Sequence, residues 1–345
     1  MESTFVSSIG AYVTRFEQDV ASYCTAQKGV ALVNGTSALH TALNVVGVQA
    51  GDEVITQSLT FVATANAITY CKAEPVFIDV DINTMGLCPI ALHDFLDEHA
   101  ELRENECFNK KTGKKIAACV PMHTYGFPAE IDKLCELCSQ WNIPVIEDAA
   151  EALGSTFKGK ALGSFGDLGV LSFNGNKIIT SGGGGAIITD NMEYALKAKH
   201  LSTTAKVAHS YEFYHDEIGY NYRMPNINAA LLCAQLEQMD EFLLNKRELA
   251  EDYRAFFDKI GVKFRWEPNN SRSNFWLMCI ELESKNDRDL FLQASNKEQI
   301  MARPIWQLMH KLPMFQHCFR DNQKNSTYLE DRIVNIPSSY RPNGK

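Results

Sequence analysis

Two kinds of pattern alternate along most of the chain. Short runs of apolar and β-branched residues occur at 30–34, 53–56, 75–79, 116–122, 144–148, 169–173 and 185–189. They are too short and too continuously apolar for surface helices, and read as buried strands. Between them lie stretches whose apolar positions recur every three to four residues, at 36–46, 61–70 and 130–141, with glycines and Pro128 as punctuation. Such alternation predicts an α/β domain with a mostly parallel central sheet covered on both faces and joined by right-handed crossovers. Ligands of such sheets collect at the carboxyl ends of the strands. Here those ends read NG, SLT, DVD, HTYG, EDAAE, SFNGN and TD, mostly polar or glycine-rich.

Beyond Pro225 the pattern changes. Residues 228–259 read as one long helix or two, followed by a strand pair at 262–266 and 275–282 and a helix near 287–294. This predicts a smaller α+β lobe. The expected division is a large domain over residues 1–237 and a small C-terminal domain over 238–345.

Composition narrows the function. The 345 residues carry a formal net charge of −9, which offers no general attraction for nucleic acid or an anionic membrane surface. No apolar run approaches the length of a bilayer span. The opening MESTFVSSIGAY lacks the basic and apolar segments of a signal peptide, so a cytoplasmic location is expected. The ten cysteines are scattered, several in apolar context. Cys135 and Cys138 form a CxxC inside a helical pattern, but no second Cys or His pair completes a zinc set, and no metal is expected.

Three features carry chemistry. In IPVIEDAAEALG, Asp148 ends a strand, either as a partly desolvated carboxylate needing a cationic partner or as a helix N-cap. In NGTSA, a strand turns at Gly35 into a helix opening on Thr36, either a simple cap or a cup of free amides for a phosphate. In LSFNGNKIITSGGGG, Lys177 stands among apolar residues and five glycines, either a solvated loop lysine or a desolvated, nucleophilic amine. Together a phosphate cup, a buried carboxylate and a nucleophilic lysine are what pyridoxal 5'-phosphate (PLP) requires.

With these pieces in place, the chain resembles the DegT/DnrJ/EryC1/StrS family of PLP-dependent sugar aminotransferases. The matching segments include NGTSAL, GDEVITQSLTFVATANAI, VPMHTYGFPAEID, IPVIEDAAEALGS, SGGGGAIITD and GYNYRMPNINAALLCAQLE, in the family's order over residues 29–237. The resemblance implies the type I PLP-transferase fold, related to aspartate aminotransferase. It implies Lys177 as the lysine that joins the cofactor and moves protons, Asp148 at the pyridine nitrogen, and Glu151 facing the phenolic oxygen, where many relatives have Gln or His. It implies Gly35, Thr36 and Ser172 at the phosphate, Phe61 stacked on the ring, and Asn221 reaching the phosphate of a neighbouring subunit, which makes a homodimer part of the site.

Finer features point to a branch. SFNGNK and GGGG replace the commoner SFHxxK and GEGG, and ARPIWQLMHKLPMF is similar to enzymes that aminate 4-keto sugars on the way to bacillosamine and legionaminic acid. The expected reaction takes an amino group from L-glutamate to C4 of a nucleotide-linked 4-keto-6-deoxy sugar, UDP-2-acetamido-2,6-dideoxy-hexos-4-ulose. His123, Tyr125, Arg223, Arg303, Trp306 and His310 are the candidate sugar and diphosphate contacts. Against the family's usual pattern the sequence starts late, with an opening helix and extended segment of the family expected to be missing, and its C-terminus is expected to be short. The rival readings are a PLP-dependent sugar dehydratase and a non-catalytic PLP-fold regulator. The presence of Lys177 disfavours the first, and the intact lysine, carboxylate and phosphate set disfavours the second.

Overall fold

The computed structural model describes residues 7–342. The signal-peptide reading of the opening falls partly on residues 1–6, outside the described residues. The seven expected strands all form, as β1 (Lys28–Leu32), β2 (Glu53–Gln57), β3 (Glu74–Ile78), β4 (Ile116–Val120), β5 (Ile146–Asp148), β6 (Leu168–Ser172) and β7 (Gly185–Thr189). Their ends shift by one or two residues for local reasons. Pro121 and Pro144 have no N–H to give a ladder, so β4 stops before the first and β5 starts after the second. Val33 N donates to Tyr222 O, and Asn34 turns away to cap the next helix, so β1 ends at Leu32.

The strands lie in the order β3-β2-β4-β5-β6-β7-β1. β4 and β5 meet through the parallel bridges Cys119–Val145 and Met122–Asp148. All neighbours are parallel except β7, which runs antiparallel to both β6 and β1. β1, β5 and β6 therefore end at one edge of the sheet, and the three sequence features come together there.

Helices cover the sheet: α1 (Ala11–Tyr23), α2 (Gly35–Val45), α3 (Val62–Tyr70), α4 (Pro89–His99), α5 (Ile131–Gln140) and α6 (Met192–Ser202). α1 is the first helix of the described residues and packs on the core. Val13, Phe16 and Val20 recur at helical spacing on its buried face, and the Phe16 ring meets Phe173 edge-on at 5.2 Å. α4 and α6 were not anticipated. The Asn191 side chain caps α6 by accepting from Glu193 N and Tyr194 N.

The helical stretch after Pro225 divides into α7 (Asn226–Leu236) and α8 (Met239–Ile260), the second closed by Gly261 at φ 73°. A four-stranded antiparallel sheet follows, built from β8 (Lys263–Phe264), β9 (Met278–Glu281), β10 (Arg303–Pro304) and β11 (Ile333–Ile336) in the order β8-β9-β11-β10. α9 (Lys285–Lys297) and α10 (Lys324–Glu330) accompany it. Its apolar face shares one core with Leu59, Val80, Met85, Tyr125 and Phe127, which come from the loops of the large sheet. The small sheet thus packs directly against the edge where the strand ends converge.

Candidate active site

A cavity of about 740 Å³ opens at that edge. Asn34, Gly35 and Thr36 line it from the turn after β1, Asp148, Ala150 and Glu151 from the turn after β5, and Ser172, Asn174, Asn176 and Lys177 from the loop after β6. Trp276, Arg303, Trp306 and Asn335 close it from the small-sheet side.

The helix start is built first. Asn34 Oδ1 accepts from Ser37 N at 2.7 Å, which fixes the first turn of α2. The amides of Gly35 and Thr36 precede any intrahelical acceptor and are open to an anion. A Cβ on Gly35 would lie 2.8 Å from Ser172 Cβ. Glycine is therefore what lets the helix start and the end of β6 share one cup. A Cβ on Gly185 would run into the Asn34 carbonyl, so the last of the four glycines serves the close approach of β7 to the same turn.

Asp148 is buried at the end of β5. Thr64 Oγ1 donates to its Oδ2 at 2.7 Å, and Ala150 N to its Oδ1 at 3.2 Å. Burial pushes its pKa above the usual carboxylate value, against the pull of those donors and of Lys177. One turn on, Glu151 Oε2 accepts from Tyr125 N at 2.9 Å, and its Oε1 lies 3.3 Å from Lys177 Nζ. Burial pushes the Glu151 carboxyl up to about 7, with Lys177 opposing. Lys177 Nζ also sits 3.9 Å from the centre of the Trp276 ring. The Trp276 indole donates to Asn176 O at 2.7 Å and so holds that ring against the lysine loop.

The neighbouring Glu147 anchors this edge from below. It is fully buried, and its carboxylate accepts from His123 Nε2 at 2.9 Å and from the amides of Gly163, Phe165 and Gly166 at 2.8, 2.6 and 2.7 Å. His123 Nδ1 accepts from Ala129 N, which leaves the proton on Nε2.

The cavity brings together Gly35, Thr36, Phe61, Asp148, Glu151, Ser172, Lys177, Arg303 and Trp306 of the residues expected from sequence. Phe61 N-caps α3 and is 49% exposed, its ring 6.3 Å from that of Trp306. Four expected contacts lie elsewhere. His123 is spent on Glu147 behind the site. Tyr125 is wholly buried, and its hydroxyl accepts from Asn335 Nδ2 at 2.8 Å. His310 pairs through Nδ1 with Ser58 Oγ at 2.8 Å, outside the cavity wall. Arg223 bridges to Leu32 beside β1 and lines a separate hollow with Lys199 and Lys206. Asn221 is exposed on the same edge segment, next to Thr203, and does not line its own chain's cavity. Residues that sequence reasoning passed over are Thr64, Trp276 and Asn335. Thr64 lay within a recognised segment, but nothing in the sequence tied it to Asp148, more than 80 positions away.

A model of the DegT/DnrJ/EryC1/StrS aminotransferase family matches residues 1–343. The chain belongs to this family. Among its relatives, EpsN of Bacillus subtilis, whose name calls it a pyridoxal phosphate-dependent aminotransferase, is 37% identical over 97% of this chain and 85% of its own length. The GDP-perosamine synthase of Escherichia coli O157:H7 is 35% identical over 98% of this chain and 88% of its own. A crystal structure of a DegT/DnrJ/EryC1/StrS aminotransferase from Brucella abortus superposes with a TM-score of 0.87 at 26% identity, covering 98% of this chain and 87% of that one. The protein is a PLP-dependent sugar aminotransferase of the type I fold.

The residues present fit that cofactor. A cup that a single Cβ at Gly35 would fill, beside open helix amides and a serine hydroxyl, suits a phosphate. A buried carboxylate with two fixed donors lines the same cavity, and the lysine stands between two restraining partners. Bound there, PLP would supply an electron sink for the carbon that loses or gains a proton. Gly35, Thr36 and Ser172 would hold the phosphate and Asp148 the ring nitrogen. Lys177, whose Nζ reaches the same cavity, would supply the nucleophile and carry the proton. Glu151 and Trp276 fix where its Nζ rests.

Among the described residues, no helix is long and apolar enough to cross a membrane. All ten cysteines, Cys135 and Cys138 included, are unpaired.

Proposed function

We propose that the enzyme moves an amino group from L-glutamate to C4 of a nucleotide-linked 4-keto-6-deoxy sugar, in synthesis of a bacillosamine- or legionaminic-type surface glycan. The observation that carries this reading is Lys177 Nζ, 3.3 Å from Glu151 and 3.9 Å from the Trp276 ring, in a cavity that also holds Asp148 and the α2 helix start. An amine placed so can leave its resting contacts, accept a proton from the amino donor and return it to the acceptor. The roles given above to Lys177, Asp148, Gly35, Thr36, Phe61, Glu151 and Ser172 are part of the proposal, with Arg303 and Trp306 as sugar contacts. Our reading divides the chain into a cofactor domain, residues 1–237, and a small domain, 238–345, with the site at their junction.

Our reading also makes the enzyme a homodimer whose site borrows Asn221 from the neighbour. Asn221 faces outward, and the segment before it exposes Tyr211, Phe213, Tyr214 and Ile218, a patch that suits burial by a second copy. Ten free thiols suit a reducing cytoplasm. The preferred acceptor is UDP-2-acetamido-2,6-dideoxy-hexos-4-ulose. A GDP-linked 4-keto sugar is the second reading, favoured by 35% identity to GDP-perosamine synthases from Escherichia coli and Caulobacter vibrioides.

The test is a panel of UDP-, GDP- and dTDP-linked 4-keto-6-deoxy sugars with glutamate and mass detection of aminated product. One nucleotide should be preferred by at least tenfold in kcat/KM, and Lys177→Ala should abolish product with all of them. A panel that yields dehydrated sugar instead of aminated sugar would overturn the reading.

A further inference from the structure

Asn335 is the one polar residue of β11, whose sequence is IVNI. β11 is an interior strand of the small sheet, flanked by β9 and β10, with Asn335 paired to Cys279 on one side and Arg303 on the other. Ile333, Val334 and Ile336 are buried in the core, as an interior strand requires. Asparagine is disfavoured in such a strand, and this one is only 9% exposed on the cavity wall.

Its amide is half satisfied. Nδ2 donates to the Tyr125 hydroxyl at 2.8 Å, while the buried Oδ1 has no partner among the described residues. An orphaned buried acceptor destabilises a fold, and a leucine or valine at this position would avoid that cost. The surroundings indicate what would complete it. The Trp306 ring lies 5.0 Å from that of Tyr125, and the Trp276 ring 6.2 Å from it. Aromatic walls with one fixed polar group describe a site that orients a small, partly apolar ligand.

We propose that Asn335 is a specificity residue for the amino-acceptor sugar, its free amide oxygen accepting a hydrogen bond from a hydroxyl or amide N–H on the sugar ring. This rests on the nucleotide-sugar reading above. The direction of the bond selects the ligand. An acceptor oxygen is satisfied by a ring hydroxyl or acetamido N–H and not by a carboxylate, which has no proton to give. The other end of Asn335, through the Tyr125 hydroxyl, holds the amide so that Oδ1 does not rotate away.

The test is calorimetric titration of the holoenzyme, without glutamate, using the UDP-linked 4-keto sugar and UDP alone, or the GDP pair if the panel selects GDP. Asn335→Ala and Asn335→Leu should each weaken the sugar nucleotide about tenfold, the loss expected of one hydrogen bond in a buried site, and the bare nucleotide by less than about twofold. Asn335→Leu removes the orphaned acceptor from an apolar strand and should keep its melting temperature within a few degrees of wild type, so weakened binding cannot be laid to unfolding. Equal weakening of sugar nucleotide and bare nucleotide, or no weakening of either, overturns the assignment. Wild-type holoenzyme that binds no sugar nucleotide better than its nucleotide overturns the substrate reading itself, an outcome visible before any variant is made.

Discussion

Glu151 is buried beside the partly buried Lys177, and the carboxyl's position makes a pH prediction. Its folded pKa is raised from 4.5 to about 7 by burial. Between those values the folded state holds a proton that the unfolded state has lost, so stability falls as pH rises from about 4.5 to about 7. Glu151→Gln removes that slope. Denaturant unfolding of the cofactor-free protein should show the Gln variant gaining on wild type across that interval, by about 3 kcal/mol at most at 1.36 kcal/mol per unit. A difference that stays flat from pH 4.5 to 8 would contradict the burial argument. Gly35 gives a second residue-scale prediction. Gly35→Ala drives a methyl against Ser172 Cβ, 2.8 Å away. Overpacking costs about 1–3 kcal/mol, so PLP affinity should fall roughly tenfold or more in an absorbance titration while the far-UV spectrum is unchanged.

At the level of elements, the turns matter more than the strands they join. Glu147 ties His123 and the amides of Gly163, Phe165 and Gly166 to the end of β5, one position before Asp148. Glu147→Gln keeps the shape but turns an NH₂ toward one group of donors. Loss of such buried, charge-assisted bonds should cost about 3 kcal/mol in urea unfolding. A change below about 0.5 kcal/mol would show that the network does not hold this edge. Element types were largely legible because each central strand is a continuous apolar run between turn signals. The site residues that sat at turns, Gly35, Asp148 and Lys177, were legible for the same reason. His123 and Tyr125 follow a strand end just as those do, yet both turn inward. Whether a residue after a strand faces the cavity or the core depends on a distant partner, Glu147 for one and Asn335 for the other. Trp276 and Asn335 were missed because they reach the cavity only through packing of the small sheet.

Across the whole molecule, the strand-end residues that line the cavity come from the large sheet and one wall from the small one, and the two sheets share one core. The order β3-β2-β4-β5-β6-β7-β1 was not readable in advance, because a strand's neighbours are set by crossovers that leave no local mark. The proposed dimer makes its own prediction. Lys177→Ala and Asn221→Ala protomers, each inactive alone, should recover activity on mixing under exchange, toward about a quarter of wild-type sites, since half the dimers would be mixed and each would hold one intact site. No recovery, with exchange verified by mass, would place Asn221 outside a shared site.

The most direct test of the central claim follows a single nitrogen atom. Holoenzyme is incubated with ¹⁵N-glutamate and the preferred nucleotide 4-keto sugar, and the product sugar is weighed. The label should appear in the sugar with wild type and be absent with Lys177→Ala. Product formed at the wild-type rate by Lys177→Ala, or a wild-type product without the label, would contradict the account.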